Sequence, residues 1–245
     1  GDFRFRGRCW AAKRRNLFAQ KARPVQNKEG LRMATTIITI ARQYGSGGRT
    51  VGKQLAEQLH IPYYDREIIT MASEESGINA RLFTDEKLKS PLRGLIRQRG
   101  IDHYNIQSPE SAGFTKDDNL FALQAKIIRE LSERGPCIMV GRCADHVLSG
   151  KPGVVSVFVH AKPDFCLREA MKVNSLPERD VLRLIEKTDD YRAKYYKYCT
   201  GKNWNDARNY DLSLDSSKLG FDGTARAILA YIAQREDCDP FPEIP

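Results

Sequence analysis

The sequence predicts an α/β domain: a parallel sheet of about five strands flanked by helices. Three observations predict it. Short strands rich in β-branched and apolar residues alternate with amphipathic helices along the 245 residues, the pattern of a sheet covered on both faces. The first of these strands runs directly into the glycine-rich loop "YGSGG", which opens a helix. No apolar run approaches the ~18 residues of a membrane span, so the apolar segments read as core and no membrane partner is expected.

Taken in order, "TTIITIA" (35–41) is a buried parallel strand by composition. The loop 42–48 follows. Val51, Leu55 and Leu59 then recur every four residues, which predicts a helix over roughly 49–59. "HIPYYDRE" carries a short second strand near 61–64 that ends in Asp65, and 67–75 reads as helix. Residues 77–118 are polar with scattered Gly and Pro and read as an inserted subdomain rather than core. "NLFALQAKIIRELSERG" is a helix capped by Asn119 and closed by Gly135. "PCIMVGR" and "GVVSVFVHA" are the third and fourth strands, "KPDFCLREAMKV" opens a helix, and "LPERDVLRLIEKTDDYRAKYYKYC" is a long basic-aromatic one. "NYDLSLDSS" is the last strand and "FDGTARAILAYIAQ" the last helix. Ligands of such sheets bind at the carboxyl ends of the strands. There the chain places the glycine loop, Asp65, "GRCAD" (141–145) and the segment after His160.

The net charge of +9 is unevenly spread. Residues 1–32 hold ten of the Lys/Arg and two of the Asp/Glu, and the other 213 residues hold 30 basic and 29 acidic side chains. The basic character therefore belongs to an N-terminal extension, read as non-native or unstructured, and residues 33–245 form the domain. Its balanced charge argues against a nucleic-acid partner; the alternative is a basic arm that binds nucleic acid or an acidic surface. The six cysteines show neither a CxxC pair nor a metal spacing, and the four histidines form no pattern. Reduced thiols in a cytoplasmic protein are the expectation.

The loop admits two registers of the phosphate-binding pattern G-x-x-x-x-G-K-[ST]. In one, Gln43 to Thr50 fits with Gln43 for the first glycine and Arg49 for the lysine. In the other, Gly47 to Lys53 fits but Gln54 replaces the hydroxyl residue. The helix face of Val51, Leu55 and Leu59 favours the first. The backbone N–H groups of Gly45, Ser46, Gly47, Gly48, Arg49 and Thr50 would then form an anion nest at a helix start. Arg49 would hold phosphate oxygens two at a time, and the Thr50 hydroxyl would reach Mg²⁺. The plainer reading is a glycine-rich turn with no ligand.

With "RQYGSGGRTVGKQLAE", "IPYYDRE", "CIMVGRCADHVL", "VVSVFVHA", "KTDDYRAKYYKYCTGKNW" and "NYDLSLDSSKLG" in hand, the chain resembles the cytidylate kinase-like family over about 35–233. The resemblance implies a P-loop kinase fold with an inserted monophosphate-binding subdomain (77–118) and a helical lid (163–205). It implies ATP and Mg²⁺ as cofactors and phosphoryl transfer to a nucleoside monophosphate, CMP or dCMP. It places Asp65 and Arg142 beside the acceptor, Arg168 at the lid entrance, and Asp189 and Arg192 in the lid's charged cluster. The chain departs from the family at the loop lysine, replaced by Arg49. It departs again before Gly141-Arg142, where Val140 stands for an aspartate and Asp145 lies two places late.

Phosphoryl transfer needs positive charge around the phosphates more than a covalent residue. Arg49, Arg168 and Arg192 are the catalytic candidates; Asp65, Arg142, Lys187 and Asp189 are the substrate-binding ones. Asp65 reads equally as the cap of the helix that follows, and Asp145 as a surface or capping residue. Asp189 and Arg192 also read as a surface ion pair at i,i+3. Tyr191, Tyr195, Tyr196 and Tyr198 pattern either a base-stacking patch or packing of the lid on the core or on a second subunit of a homo-oligomer. Two functional alternatives stand beside the monophosphate kinase: a kinase for another small acceptor, and an inactive nucleotide-binding sensor.

Overall fold

A computed structural model describes residues 36–83 and 117–237. The basic extension 1–32, and the part of the predicted insert that falls in 84–116, lie outside the described residues. Strand β1 (Ile37–Arg42) is the centre of a five-stranded, all-parallel sheet. Its neighbours are β3 (Cys137–Val140) on one side and β4 (Val154–His160) on the other. The short β2 (Tyr63–Tyr64) lies outside β3, and β5 (Leu212–Asp215) outside β4. The order is therefore β2-β3-β1-β4-β5. Every connection is a crossover, so the chain returns to the same end of the sheet after each strand.

Alternation along β1 divides the core. Ile38 and Ile40 face helices α1 (Gly48–Leu59) and α7 (Ser216–Asp237), where Val51, Leu55, Ile228 and Ile232 close over them. Ile37 and Ala41 face the other way, toward α2 (Glu67–Ser76) and α3 (Asp117–Glu133). Ile38 and Ile40 are wholly buried. Each such side chain contributes roughly 1.5–3 kcal/mol relative to exposure, so the sheet centre is the rigid base on which the β1 loop stands. The short α4 (Ala144–Val147) follows β3; α5 (Pro163–Val173) and α6 (Glu178–Thr200) follow β4 as a helical pair.

Four boundaries differ from expectation. Helix α1 begins at Gly48, one residue early. Helix α3 begins at Asp117, so Asn119 lies inside it, buried, rather than at its cap. Asp117 and Asp118 in the first turn complement the helix dipole instead. Ile78 and Phe83, at the front of the predicted insert, pack into the core around the 3₁₀ turn Ala80–Phe83. The last helix starts at Ser216 and breaks at Gly220 (φ 65°, ψ 175°), five residues later than β5 ends. Among the described residues, no helix is long and apolar enough to cross a membrane.

Candidate active site

The loop between β1 and α1 is held on both sides. Ser46 is fully buried, and its hydroxyl sits 2.9 Å from the carbonyls of Gln43 and Val159. Ser216 Oγ donates to the Ser46 carbonyl at 2.7 Å. The Gln43 side chain turns to the neighbouring strand; its Oε1 accepts from Ala161 N–H just after β4 (3.1 Å). Gly47 caps α1 with φ 79°, and a Cβ there would lie 2.1 Å from Phe221, so the position requires glycine twice over. Helix α1 has no side-chain cap and no acid in its first turn. The N–H groups at its start and their positive dipole are thus presented at the carboxyl end of the sheet.

Helices α5 and α6 reach the loop through Tyr44. Its backbone N–H donates to both carboxylate oxygens of Asp189 (2.8 and 3.1 Å). Arg192 Nη1 donates to Asp189 Oδ1 (2.9 Å) and to the Arg42 carbonyl (3.1 Å), and its guanidinium lies 5.8 Å from the Tyr44 ring centre. Asn174, which ends α5, donates to Tyr44 Oη at 3.0 Å. The i,i+3 pair expected on α6 is real, but it is more than a surface pair, because it carries a backbone amide of the loop.

Arg42, the last residue of β1, was not singled out in the sequence. Its side chain passes between two glycines. A Cβ on Gly48 would lie 2.5 Å from Arg42 Cβ, and one on Gly141, where φ is +77°, 2.2 Å from Arg42 Nη1. The Arg42 guanidinium is pulled down to about 9, chiefly by burial and next by Arg192, while Asp65 pushes the other way. It remains charged at neutral pH. A charged residue directly after five buried strand positions was the available signal.

Asp65 is buried and does not cap a helix. Arg66 occupies the cap position of α2, and the Asp65 carboxylate turns toward the loop. Oδ2 lies 2.7 Å from Arg49 Nε and Oδ1 lies 3.8 Å from Arg42 Nη2. Asp145, read as a surface or capping residue, is also buried and accepts from Tyr196 Oη at 2.7 Å. Burial raises Asp145 to about 6 against the opposing pull of that hydrogen bond. The helix it opens has four residues. Such a short turn has no solvent face long enough to carry it outward, and α6 packs directly over it.

These elements enclose a cavity of about 80 Å³. Arg42, Arg49, Arg142 and Arg192 line it, as do Asp145, Tyr191, Tyr195, Tyr196 and Trp204. Arg142 also donates to the Phe83 carbonyl at 3.3 Å. Tyr191 and Tyr195 stack at 6.0 Å, Tyr195 meets Phe121 edge-on at 6.3 Å, and Trp204 packs edge-on against Phe158 at 5.2 Å. Tyr198 turns away, its hydroxyl on Asp118. The tyrosine patch therefore divides: Tyr195 and Tyr196 brace α6 on the core, and Tyr191 extends the stack into the cavity lining.

Of the predicted residues, Arg49, Arg142 and Arg192 line the cavity and Asp65 pairs with Arg49 beside it. Arg168 does not line it. Its guanidinium stacks 5.9 Å over Phe165, whose ring meets Phe221 edge-on at 5.8 Å, so it stands on the Gly47 side of the loop. Lys187 is exposed on α6, and Thr50 is exposed in the first turn of α1. Among the described residues, no cluster of three or more His, Cys, Asp or Glu could hold a metal ion.

The sequence profile of the cytidylate kinase-like family matches residues 37–218. The chain belongs to the cytidylate kinase-like family. Within it, the architecture is that of a P-loop kinase: a parallel sheet whose central strand leads through the glycine loop into α1. A curated relative, cytidylate kinase from Methanopyrus kandleri, is 24% identical over 215 residues, covering 83% of this chain and 97% of its own. A solved structure, an uncharacterized protein from Eubacterium ventriosum, superposes with a TM-score of 0.61 at 26% identity, covering 82% of this chain and 99% of that one. Family and fold together make this a kinase-type phosphotransferase with a nucleotide-binding loop. At the two departures noted in the sequence, Arg49 on the loop pairs with Asp65, and Gly141, after Val140, lies against Arg42.

Proposed function

We propose that the protein transfers the γ-phosphoryl group of ATP to a nucleoside monophosphate, with CMP or dCMP as the preferred acceptor. One observation carries the reading. Four arginines and four aromatic residues line one cavity beside the glycine loop. A phosphate beside a flat ring is the ligand that answers both surfaces.

In this reading the N–H groups at the start of α1 and Arg49 hold the donor phosphates. The Thr50 hydroxyl would hold Mg²⁺, which would supply charge neutralisation at the transferring phosphoryl group. Arg42, Arg142 and Arg192 neutralise the acceptor phosphate, and their positions are fixed before substrate arrives, so little reorganisation is needed. The aromatic wall takes the base. Arg168 and Lys187 stand outside the cavity and would contribute from the donor side or on closure of the α5–α6 pair. The likeness to the cytidylate kinase of Methanopyrus kandleri supports cytidine as the base.

The test is ADP formation from ATP and Mg²⁺ by the full chain with CMP, dCMP, UMP, AMP, GMP or no acceptor. Arg142→Gln serves as the control for the acceptor side. Turnover that requires CMP or dCMP and collapses in the variant is expected. ATP binding without turnover on any monophosphate would overturn the acceptor assignment.

A further inference from the structure

Arg49 has two claims on it. As the second residue of α1 it stands where the loop amides open toward phosphate, yet its Nε lies 2.7 Å from Asp65 Oδ2. The two partners are unequally fixed. The Asp65 side chain is 9% exposed, held in the turn after β2, whereas the Arg49 side chain is 46% exposed and free to swing on its stem. The second Asp65 oxygen, Oδ1, is buried and accepts no hydrogen bond; Arg42 Nη2 lies 3.8 Å from it. Arg42 cannot take over the site of Arg49, because its side chain is confined between Gly48 and Gly141.

We propose that Asp65 is a positioning residue that parks Arg49 away from the phosphate loop, and that nucleotide binding exchanges Arg49 from the carboxylate to the phosphates. The inference rests on the donor half of the reading above and not on the identity of the acceptor. A lysine at this position would be a point charge on a flexible stem. An arginine offers a fork that one carboxylate can engage edge-on, so the substitution at the loop and the acid after β2 form a matched pair. When Arg49 leaves, Arg42 remains beside Asp65, so the carboxylate is not stranded without a counter-charge. Oδ2, released by Arg49, is then open to a donor on the acceptor or to a metal-bound water.

The exchange has a signature with an uncommon sign. Removing the Asp65 charge should tighten binding of a non-hydrolysable ATP analogue with Mg²⁺, because Arg49 no longer has to be detached. An ion pair with one half-exposed partner corresponds to about a 2- to 5-fold gain. Turnover should fall at the same time, since the freed carboxylate is missing from the closed complex. The experiment is a binding cycle by calorimetry on the full chain: wild type, Asp65→Asn, Arg49→Ala and the double variant. The gain should appear in Asp65→Asn alone and vanish in the Arg49→Ala background. A gain that persists without Arg49 would mean that Asp65 acts only through the overall field, and would overturn the proposal. Unchanged or weaker analogue binding in a folded Asp65→Asn would overturn it too.

A second measurement needs no substitution at Asp65. In wild-type chain labelled with ¹⁵N-arginine, the Arg49 Nε–H signal, assigned by its loss in Arg49→Lys, should move when the analogue is added. A signal unmoved at saturation would overturn the exchange. If the wild type binds no nucleotide, the donor reading and the inference fall together. If it binds and the cycle behaves as described but no monophosphate is phosphorylated, only the acceptor reading falls.

Discussion

Gly48 and Gly52 sit one turn apart in α1, and neither has a left-handed backbone. Alanine at either would therefore gain the ordinary helical preference of roughly 0.5–1 kcal/mol. The surroundings differ. At Gly48 a Cβ meets Arg42 Cβ at 2.5 Å and Cγ at 3.0 Å. Those atoms are the root of a side chain fixed by β1, so they cannot step aside without moving the strand. Overpacking of that kind costs about 1–3 kcal/mol and outweighs the gain. At Gly52 the Cβ meets Tyr63 Cε2, Ile40 Cδ1 and Val140 Cγ2 at 3.0, 3.2 and 3.3 Å. These are the far ends of side chains that can yield by tenths of an ångström, so cost and gain nearly cancel. Thermal unfolding of the full chain by circular dichroism should show Gly48→Ala lower in Tm by roughly 2–8 °C and Gly52→Ala within about 2 °C of wild type. A Gly48→Ala protein as stable as Gly52→Ala would refute the view that Arg42 is threaded past the loop glycine.

Further outcomes follow from the same contacts. Burial raises Asp145 to about 6 and lowers its neighbour His146 to about 4. The Asp145 contribution to stability is full below about pH 4 and is lost as pH rises through 6. The His146 contribution is present above its ordinary value of 6.5 and lost as pH falls through 4. The two oppose each other, so Asp145→Asn should leave a protein that weakens on acidification, and His146→Gln one that weakens from pH 4 to 6, by at most about 3 kcal/mol; parallel urea midpoints for all three proteins across that range would count against this. Asp189→Ala removes both acceptors of the Tyr44 amide and one partner of Arg192, for an expected loss of about 1–3 kcal/mol and faster hydrogen exchange at Tyr44; unchanged protection there would refute the latch. Ser216→Ala strips the buried donor from the Ser46 carbonyl and should cost about 1–3 kcal/mol by denaturant titration, whereas a neutral substitution would show that the loop is held mainly by its glycine contacts.

Much of the scaffold was legible because it depends on local periodicity. The apolar run before the glycines could only be a buried strand, and Val51, Leu55 and Leu59 could share a face only if α1 began near Gly48. The candidate site was legible where a residue type sits at the carboxyl end of a strand, as Arg49, Asp65 and Arg142 do. It was not legible where a side chain's role is set by what crosses over it. Asp145 looks like a surface residue until α6 lays Tyr196 on it. Asp189 looks like half of an ordinary ion pair until α6 is docked 145 residues away in sequence from the Tyr44 amide it accepts.

The amino-acid order alone thus determined the α/β class, the strand–loop–helix unit and the family of the chain, since short-range patterns and motif spacing carry all three. Only the tertiary structure decided which charges face each other. Arg42 is confined by one glycine from the β1 loop and another from the end of β3, and Arg49 turns to an acid that follows β2. Such pairings are properties of strand order, and strand order is written in contacts between segments that no local window contains.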